Sequence, residues 1–501
     1  MHGTHLGVRV RRNPKPSIAA KSLKCQQTSN HSFKSEKQKT SIFTPFSSLS
    51  CTKMVTAAAT HTVQPTESTP NEIMQLSEID QTKTLIHAPT VYFYRLNEDI
   101  LYSHAIQILK ESLSKALVLF YPLAGRLHEI GGGRLELHCN AEGATLVEAE
   151  SELMIEDYEI QDFVPNEAMR ELIPKVDYIA TPIHEQPLVL VQLTKFSCGG
   201  VCLGLGISHI LADGISAIHF VSEWAKIVRG EMTSIVPLLD RKILRLGDLP
   251  SAPKFEHIEL TPPPLLVGRS DNMEERKKPT TVAMIKLSKQ QINELKSKAN
   301  EETPYKSIVR PYTRYEAVAG HIWRCTTKVR GHKNEQLTRL HLAVDLRNRI
   351  QPPIPKGYFG NAVIRQAAIA TTKDLLSNPL AYASSRIRES IDKVTDEYIR
   401  SYLLVANQQD ISWLRNFPTK GCSLGSFYGN PNMEITSWTS MSVYEADFGW
   451  GDLIHMGPAE MGFDGKSFII PSCEGDGSIM VAFCLQTEHI GTFKQLFYEE
   501  I

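Results

Sequence analysis

A proline-rich segment near the middle of the chain restricts its fold more than any other feature. Residues 240–280 show little apolar periodicity and contain the prolines Pro250, Pro253, Pro262, Pro263, Pro264 and Pro279. This composition is typical of a linker rather than of a helix or strand. Because 501 residues exceed what one hydrophobic core usually supports, we expect a domain on each side of a crossover linker at 241–280.

The half before the linker, residues 70–240, mixes strand and helix patterns. TVYFYRL at 90–96 is rich in β-branched and aromatic residues and predicts a strand. An apolar repeat over 101–117 predicts an amphipathic helix. Residues 188–208 predict a β-hairpin that turns at Gly199–Gly200, and a further helix is expected from Ile215.

The half after the linker, residues 281–501, shows the same mixture. TVAMIKLS and RLHLAVDL (339–346) predict strands. Thr313 and Glu316 form a capping box that opens a helix, and a helical stretch is expected over about 379–406. The fold class is therefore α/β (mixed α+β), in two domains.

The first 69 residues are expected to precede the ordered part, as a disordered leader or an over-extended translation start. Residues 1–53 hold ten Lys or Arg against one acid, Glu36, and nine serines. Such a composition also resembles an organelle transit peptide. The alternative start is Met54.

Overall charge and composition exclude two classes of partner. The net charge is −1 and the pI is about 7.0, so nothing favours a nucleic-acid partner. No run of 18 apolar residues suggests a membrane span. Nine cysteines lie scattered with no C-x-x-C pair, which fits a reducing compartment. We expect a cytoplasmic monomer that meets only small-molecule substrates.

The chemistry concentrates in SHILADG, residues 208–214. In the strand before it, the small residues at 202, 204, 206 and 208 share one face, so another backbone can approach closely there. By parity His209 points to the opposite side, toward the interior. Asp213 lies in the tight connection to a helix, and Gly214 is expected to permit an unusual backbone angle. A partly desolvated histidine accepts a proton near neutral pH, as acyl transfer to an alcohol or amine requires.

The spacing H-x-x-x-D is a weak signal alone, because it recurs at His341–Asp345 inside an alternating strand. That second copy is interpreted as ordinary structure. Residues 421–425 match the hydrolase elbow G-x-S-x-G, but Pro418 interrupts the strand that an elbow needs. An esterase built on Ser423 is therefore a distant alternative. From the spacing alone, a buried structural histidine is the better interpretation of His209.

A second motif, DFGWG at residues 447–451, changes that balance. With HxxxDG and DFGWG in this order and at this separation, the chain resembles the BAHD family of acyltransferases. YPLAGR (121–126) and YFGN (358–361) also resemble segments of that family. The resemblance covers about residues 70 to 501.

The resemblance implies a two-domain fold like that of chloramphenicol acetyltransferase, with a channel between the domains. His209 matches the family's catalytic base, which would deprotonate the acceptor as it attacks the thioester of an acyl-CoA co-substrate. No covalent acyl-enzyme, metal or permanently bound cofactor is implied. Asp213 matches a structural residue that pairs with an arginine.

The DFGWG motif is also expected to be mainly structural. Asp447 would hold an arginine, for which Arg347 is the candidate. Trp450 is a candidate donor to the oxyanion of the tetrahedral intermediate. A purely structural turn at Gly449, Trp450 and Gly451 is an equally good interpretation.

The chain looks most similar to the clade that acylates spermidine with hydroxycinnamoyl groups. In the shikimate branch, an arginine two residues after the tryptophan of a T-S-W segment holds the acceptor's carboxylate, and Ser440 stands at that position here. Without that cation an acidic acceptor is penalised and a polycation is not repelled. Glu434 and Glu445 are candidate ammonium partners or simply solvated groups. O-acylation of shikimate, quinate or another hydroxyl compound is the alternative, and a catalytically silent ligand-binding relative is a third.

Overall fold

Two six-stranded sheets, each covered by helices, organise the protein. The computed structural model describes residues 54–97, 100–245, 252–301, 310–410, 412–415 and 428–501. The strands are β1 (Val55–Val63), β2 (Glu72–Gln75), β3 (His87–Leu96), β4 (Arg126–Gly131), β5 (Arg134–Cys139), β6 (Ala144–Ser151), β7 (Val189–Phe196), β8 (Val201–Ser208), β9 (Thr280–Leu287), β10 (Leu337–Asp345), β11 (Val363–Thr371), β12 (Met433–Ser437), β13 (Gly451–Pro458), β14 (Lys466–Pro471) and β15 (Ile479–Gln486).

The helices connect and cover these strands. They are α1 (Glu78–Gln81), α2 (Tyr102–Leu119), α3 (Ile155–Glu159), α4 (Glu167–Arg170), α5 (Gly214–Val228), α6 (Met273–Lys277), α7 (Lys289–Glu301), α8 (Arg314–Arg330), α9 (Thr372–Ser377), α10 (Leu380–Asp392), α11 (Asp396–Gln408), α12 (Ser412–Arg415) and α13 (Thr487–Glu499).

The first sheet has the strand order β1-β6-β7-β8-β3-β13. Its central strand β8 is buried along its whole length, as expected for a strand covered on both faces. Helices α2 and α5 pack against each other over one face, where the indole N–H of Trp224 donates to Ser112 Oγ at 2.9 Å. The predicted hairpin and both predicted helices are confirmed.

The second sheet has the order β11-β10-β12-β14-β15-β9. Helix α8 packs on it with α7, α10 and α13 beside it. The capping box at the start of α8 is confirmed: Glu316 N donates to Thr313 Oγ1 at 3.2 Å, and Thr313 N donates to Glu316 Oε2 at 2.6 Å. The helical stretch after residue 379 consists of two helices, α10 and α11.

The sequence boundary between the halves is crossed by one strand. Strand β13, which directly follows DFGWG, pairs antiparallel with β3 at the edge of the first sheet, with Gly451 opposite Leu96. The expected assignment of all residues 281–501 to a second domain is therefore wrong for 451–458. The pairing of a strand depends on long-range packing, so a boundary drawn along the sequence cannot show which sheet the strand joins.

The expected start of order near residue 70 is also wrong. Strand β1 (Val55–Val63) pairs antiparallel with β6 along the edge of the first sheet. Only its two end residues, Val55 and Val63, are fully buried, so the segment carries little apolar signal. Residues 1–53, with their transit-peptide-like composition, and the Gly421–Gly425 elbow match lie outside the described residues.

The described part of the linker is packed against the second half. Arg339 Nη1 donates to the carbonyls of Ile258 and Thr261 at 2.8 and 3.0 Å. Leu260 is buried. In the parts of the chain that the structure describes, no helix has both the length and the apolar character needed to cross a bilayer.

Candidate active site

A cavity of about 830 Å³ lies between the two sheets. Ile207, His209 and Ile218 line it from the β8–α5 side. Thr436 and Lys466, from β12 and β14, line it from the other side. The arrangement brings residues more than 200 positions apart onto one enclosed surface.

His209 follows β8 directly and faces this cavity. Its backbone N–H donates to the carbonyl of Ile86 at 2.9 Å, which continues the strand pairing by one residue. Its Nδ1 is buried without a hydrogen-bond partner among the described residues, which leaves Nε2 as the nitrogen that can meet a substrate. Burial, and then the charge of Lys83, lower the pKa of His209 to about 4. The imidazole is therefore neutral at physiological pH and can accept a proton.

The face of β8 opposite His209 is closely packed, as the small residues predict. A Cβ built on Gly204 would lie 1.9 Å from the carbonyl oxygen of Leu172. Because no side chain fits there, the backbone at Leu172 packs directly on β8. This packing fixes the position of the strand and of His209, which follows it.

A buried polar network supports the turn after His209. Asn361 Nδ2 donates to the carbonyls of His209 and Ile210, both at 3.0 Å. The same group and the Asn361 backbone N–H reach Asp80 Oδ1 at 2.9 and 3.1 Å. Arg241 forms an ion pair with Asp80 at 2.9 Å. Asn361 is the last residue of YFGN, whose family likeness is the one sequence signal for this network.

Asp213 begins helix α5 as its N-cap, accepting from Ser216 N at 3.0 Å. Its other oxygen accepts from Ala362 N at 2.9 Å. Arg347 donates to both oxygens, each at 3.0 Å. Burial alone would raise the pKa of the Asp213 carboxyl, but Arg347 and the two backbone donors outweigh it and hold the pKa below its usual value. The expectation that Arg347 holds Asp447 is thus wrong, because Arg347 lies on Asp213.

Gly214 does not have the unusual backbone angle that was expected, since its φ is not positive. A Cβ at this position would lie 2.8 Å from Met441 Cε. The glycine therefore makes room for a side chain of the second half at the cavity wall.

Asp447 lies on the surface, where its side chain is 64% exposed. Its Oδ1 accepts from Gly449 N at 2.8 Å and closes the turn of DFGWG. Arg229, at the end of α5, donates to the Asp447 carbonyl and lies 3.9 Å from its carboxylate. The arginine that meets this motif is therefore Arg229.

The backbone conformation and packing of DFGWG explain its two glycines. Gly449 and Gly451 have φ of +72° and +131°, and a Cβ on Gly451 would lie 2.2 Å from the carbonyl oxygen of Arg95. Trp450 is buried in the core of the first half, with its ring 5.4 Å from Tyr94 and 4.8 Å from Phe448. It lies outside the cavity wall, so the structure does not support Trp450 as an oxyanion donor.

The three candidate acceptor-binding residues, Ser440, Glu434 and Glu445, differ in whether they line the cavity and whether they are already paired. Ser440 is exposed and lines the cavity. Glu434 lines it too, but one oxygen lies 2.5 Å from Lys466 Nζ and the other 3.4 Å from Arg365 Nε. These cations hold the pKa of Glu434 well below its usual value, against the effect of burial. Glu445 is exposed and does not line the cavity. Neither glutamate offers a free carboxylate to a bound ammonium group.

Sequence analysis did not find three of the basic residues that line the cavity, Lys83, Arg365 and Lys466. Lys83 follows α1, whereas Arg365 and Lys466 lie on β11 and β14, so no local motif joins them. Among the described residues, no group of three or more His, Cys, Asp or Glu side chains is placed to hold a metal ion.

An apolar wall completes the site. Ile218 and Val221 of α5 line the cavity together with Trp438, Met441 and Met456. The Trp438 ring lies 5.0 Å from that of Phe468. A flat aromatic group fits such a surface, since rings and methionine side chains pack well against π-faces.

Comparison with known proteins agrees with this geometry. Residues 53–500 match the family described as the Transferase family. A hydroxycinnamoyl-CoA:piscidic acid hydroxycinnamoyltransferase of Actaea racemosa is 47% identical, over 89% of this chain and 100% of that protein. A shikimate O-hydroxycinnamoyltransferase of Nicotiana tabacum is 40% identical, over 87% of this chain and 98% of that protein.

Solved structures confirm the expected fold. Vinorine synthase superposes with a TM-score of 0.64 at 22% identity, over 87% of this chain and 96% of that one. F. graminearum TRI101, complexed with coenzyme A and deoxynivalenol, gives a TM-score of 0.69 at 16% identity, over 85% and 97%. A mixed α/β, two-domain fold of this type is therefore established. Together with the family match over residues 53–500, the relatives at 40–47% identity show that the protein is an acyltransferase and belongs to the BAHD family.

Proposed function

We propose that the protein transfers a hydroxycinnamoyl group from its coenzyme A thioester to a small acceptor, with His209 as general base. The observation that carries this proposal is the neutral, half-buried His209 at the wall of a cavity lined by both halves of the chain. The named hydroxycinnamoyltransferases that match 87–89% of this chain support the choice of acyl group.

The reaction needs one proton relay. His209 Nε2 takes the proton of the acceptor's hydroxyl or amine as that group attacks the thioester carbonyl carbon, forming a tetrahedral oxyanion. The carbonyl re-forms as the C–S bond breaks, and the protonated imidazole returns the proton to the leaving thiolate. The products are the ester or amide and free coenzyme A. The network of Asn361 and Asp213 holds the histidine turn in place throughout.

A hydroxyl acceptor is the first candidate. The relatives at 40–47% identity are named for piscidic acid and for shikimate. A polyamine such as spermidine is the second, supported by Ser440 at the cavity wall, where an arginine would repel it. The pairing of Glu434 with two cations weakens this second candidate. We further propose that the enzyme works in the cytoplasm, since its scattered cysteines suit a compartment that keeps thiols reduced.

Purified protein would be incubated with coumaroyl-CoA or caffeoyl-CoA and an equimolar mixture of piscidate, shikimate and spermidine, with products identified by mass spectrometry. His209→Ala should lower kcat by about 10²–10⁴-fold, the range for loss of a general base. The exposed His104 provides the matched control, His104→Ala, which should keep full activity. A His209→Ala protein that melts like wild type yet keeps a tenth or more of its activity would refute the base assignment.

The pH profile gives a second test. Because the pKa of His209 is lowered to about 4, the base is unprotonated above that value. kcat/KM should therefore be level from about pH 5 to 7 and fall as the pH drops toward 4.

A further inference from the structure

The cavity holds a lysine without a carboxylate partner. Lys83 Nζ donates to the carbonyl oxygen of Val363, and it makes no ion pair within the part of the chain that the structure describes. Burial, and then the charge of Arg365, lower its pKa to about 8. The ammonium group still carries its charge at neutral pH, and an unpaired charge away from water is costly to keep.

Two more cations share one carboxylate nearby. Arg365 Nε lies 3.4 Å and Lys466 Nζ 2.5 Å from the oxygens of Glu434. Arg365 also contacts Tyr428, donating to its hydroxyl at 3.1 Å with the guanidinium 4.4 Å from the ring centre. Of these three cations of the cavity wall, Arg365 and Lys466 therefore share Glu434, and Lys83 has no carboxylate of its own in the described part of the chain.

The other carboxylates of the cavity wall have partners elsewhere or are exposed, and among the described residues none of them forms an ion pair with Lys83. Asp213 and Asp345 both lie 3.0 Å from Arg347. Glu460 lies 3.0 Å from Arg170. The remaining two are Glu259, 2.9 Å from His257, and Glu167, which is exposed.

We propose that Lys83 and Arg365 together bind a carboxylate of the acceptor, so that the acceptor is a hydroxy acid. This inference rests on the proposed function, because it assigns the acceptor of that same reaction. A carboxylate supplies the missing partner of Lys83 through a charge-assisted hydrogen bond, and Arg365 adds a second cation. A polyamine would meet the repulsion of both.

The position of Lys83 also orients the acceptor. Lys83 and His209 line the same cavity, and Lys83 is the charge that most affects His209. A carboxylate held on Lys83 would therefore leave the hydroxyl of a small acid on the imidazole side of the cavity. Binding the anion cancels the positive potential that disfavours protonation of His209. A carboxylate acceptor therefore makes the histidine a stronger base at the moment it is needed, which a neutral analogue does not.

The test compares acceptors whose carboxylate is either free or blocked as a methyl ester. Shikimate and tartrate would be assayed against their methyl esters, with coumaroyl-CoA as donor, in wild type, Lys83→Met, Lys83→Arg and Arg365→Met. The exposed Lys373 gives the control Lys373→Met. We expect wild type to prefer the free acids in kcat/KM, and Lys83→Met to reduce that preference by about 10–100-fold, the value of a hydrogen bond to a charged group. Lys83→Arg should restore part of it, and Lys373→Met should leave it unchanged.

Binding is measured separately from turnover by titrating the acids and esters into the protein saturated with coenzyme A. Tighter binding of the acids that is lost in Lys83→Met supports the proposal. If Lys83→Met lowers the affinity and kcat/KM for acid and ester equally, the lysine acts on a step common to both acceptors and the proposal is overturned. Preference for the esters or for spermidine in wild type overturns it as well. These results would leave the proposed function standing if His209→Ala is inactive, whereas activity that survives His209→Ala overturns that function whatever Lys83→Met does.

Discussion

The ion pair between Asp213 and Arg347 should fix both the stability of the protein and the position of its histidine. The two residues come from different halves of the chain, 134 positions apart. In Asp213→Asn one oxygen becomes an NH₂ group. If that oxygen is Oδ2, the new NH₂ group faces two donors. In the wild-type protein, Arg347 Nη1 and the N–H of Ala362 donate to Oδ2 at 3.0 and 2.9 Å. Two acceptor contacts are therefore lost together with the charge.

The size of the stability loss in Asp213→Asn follows from the burial of the ion pair. The Asp213 side chain is 2% exposed and that of Arg347 13%, and removing one partner of a buried pair costs about 3–5 kcal/mol. The unfolding entropy of a chain this long is about 1 kcal/mol per degree, so Tm should fall by about 3–5 °C. Because the turn after His209 loses an anchor, kcat/KM should fall by about 10–100-fold. Because the Asp213 carboxylate raises the pKa of His209, its loss should also move the acid limb of the pH profile to lower pH.

Differential scanning calorimetry at one scan rate measures the stability of Asp213→Asn, Arg347→Met and the double variant. The exposed Asp452 gives the control Asp452→Asn. Each single variant leaves a buried polar group unpaired, so the double variant should lose less than the sum of the two, by about 1–3 kcal/mol. Additive losses, or a Tm within about 1 °C of wild type in Asp213→Asn, would refute this account of the pair.

The remaining predictions concern backbone space and acid stability. Gly451→Ala should destabilise by about 3 kcal/mol, because its Cβ would lie 2.2 Å from the Arg95 carbonyl. Gly475→Ala, at a positive φ but with open space around it, should cost only about 1 kcal/mol in urea unfolding, and equal losses would contradict the steric argument. Burial lowers the pKa of His321 to about 4, so the unfolded state binds its proton more readily and stability is lost as pH falls from 6.5 toward 4. Between pH 7 and 4.5, His321→Gln should lessen that loss by about 2 kcal/mol. The exposed His104→Gln should not, and urea unfolding at the two pH values measures both.

Most of the helices and strands could be predicted from the sequence because the patterns that mark them involve only neighbouring residues. The capping box of Thr313 and the small-residue face of β8 each depend on a few neighbouring residues, and both are found as predicted. Strand β1 was missed for the same reason. Its sequence, VTAAATHTV, lies at a sheet edge where only the ends are buried, so its apolar pattern is too weak to mark a strand.

The pairings between distant segments could not be predicted in this way. Asp213 can be recognised as a helix N-cap from the residues around it, but the choice between Arg347 and Arg229 as its partner depends on how the two halves pack. The motif DFGWG has the same property. Its glycines follow from a turn that sends β13 back to β3, which only the assembled sheet explains.

The acceptor argument from Ser440 shows where reasoning from one position stops. A serine at that position removes one cation from one segment, yet the potential inside a cavity is the sum over every segment that lines it. Lys83, Arg365 and Lys466 come from three other segments and reach the same space. The missing arginine alone therefore does not decide between an anionic acceptor and a polycation. In the site that we propose, an anionic acceptor binds instead on the side of the cavity formed by Lys83 and β11, near the charge that acts most strongly on His209.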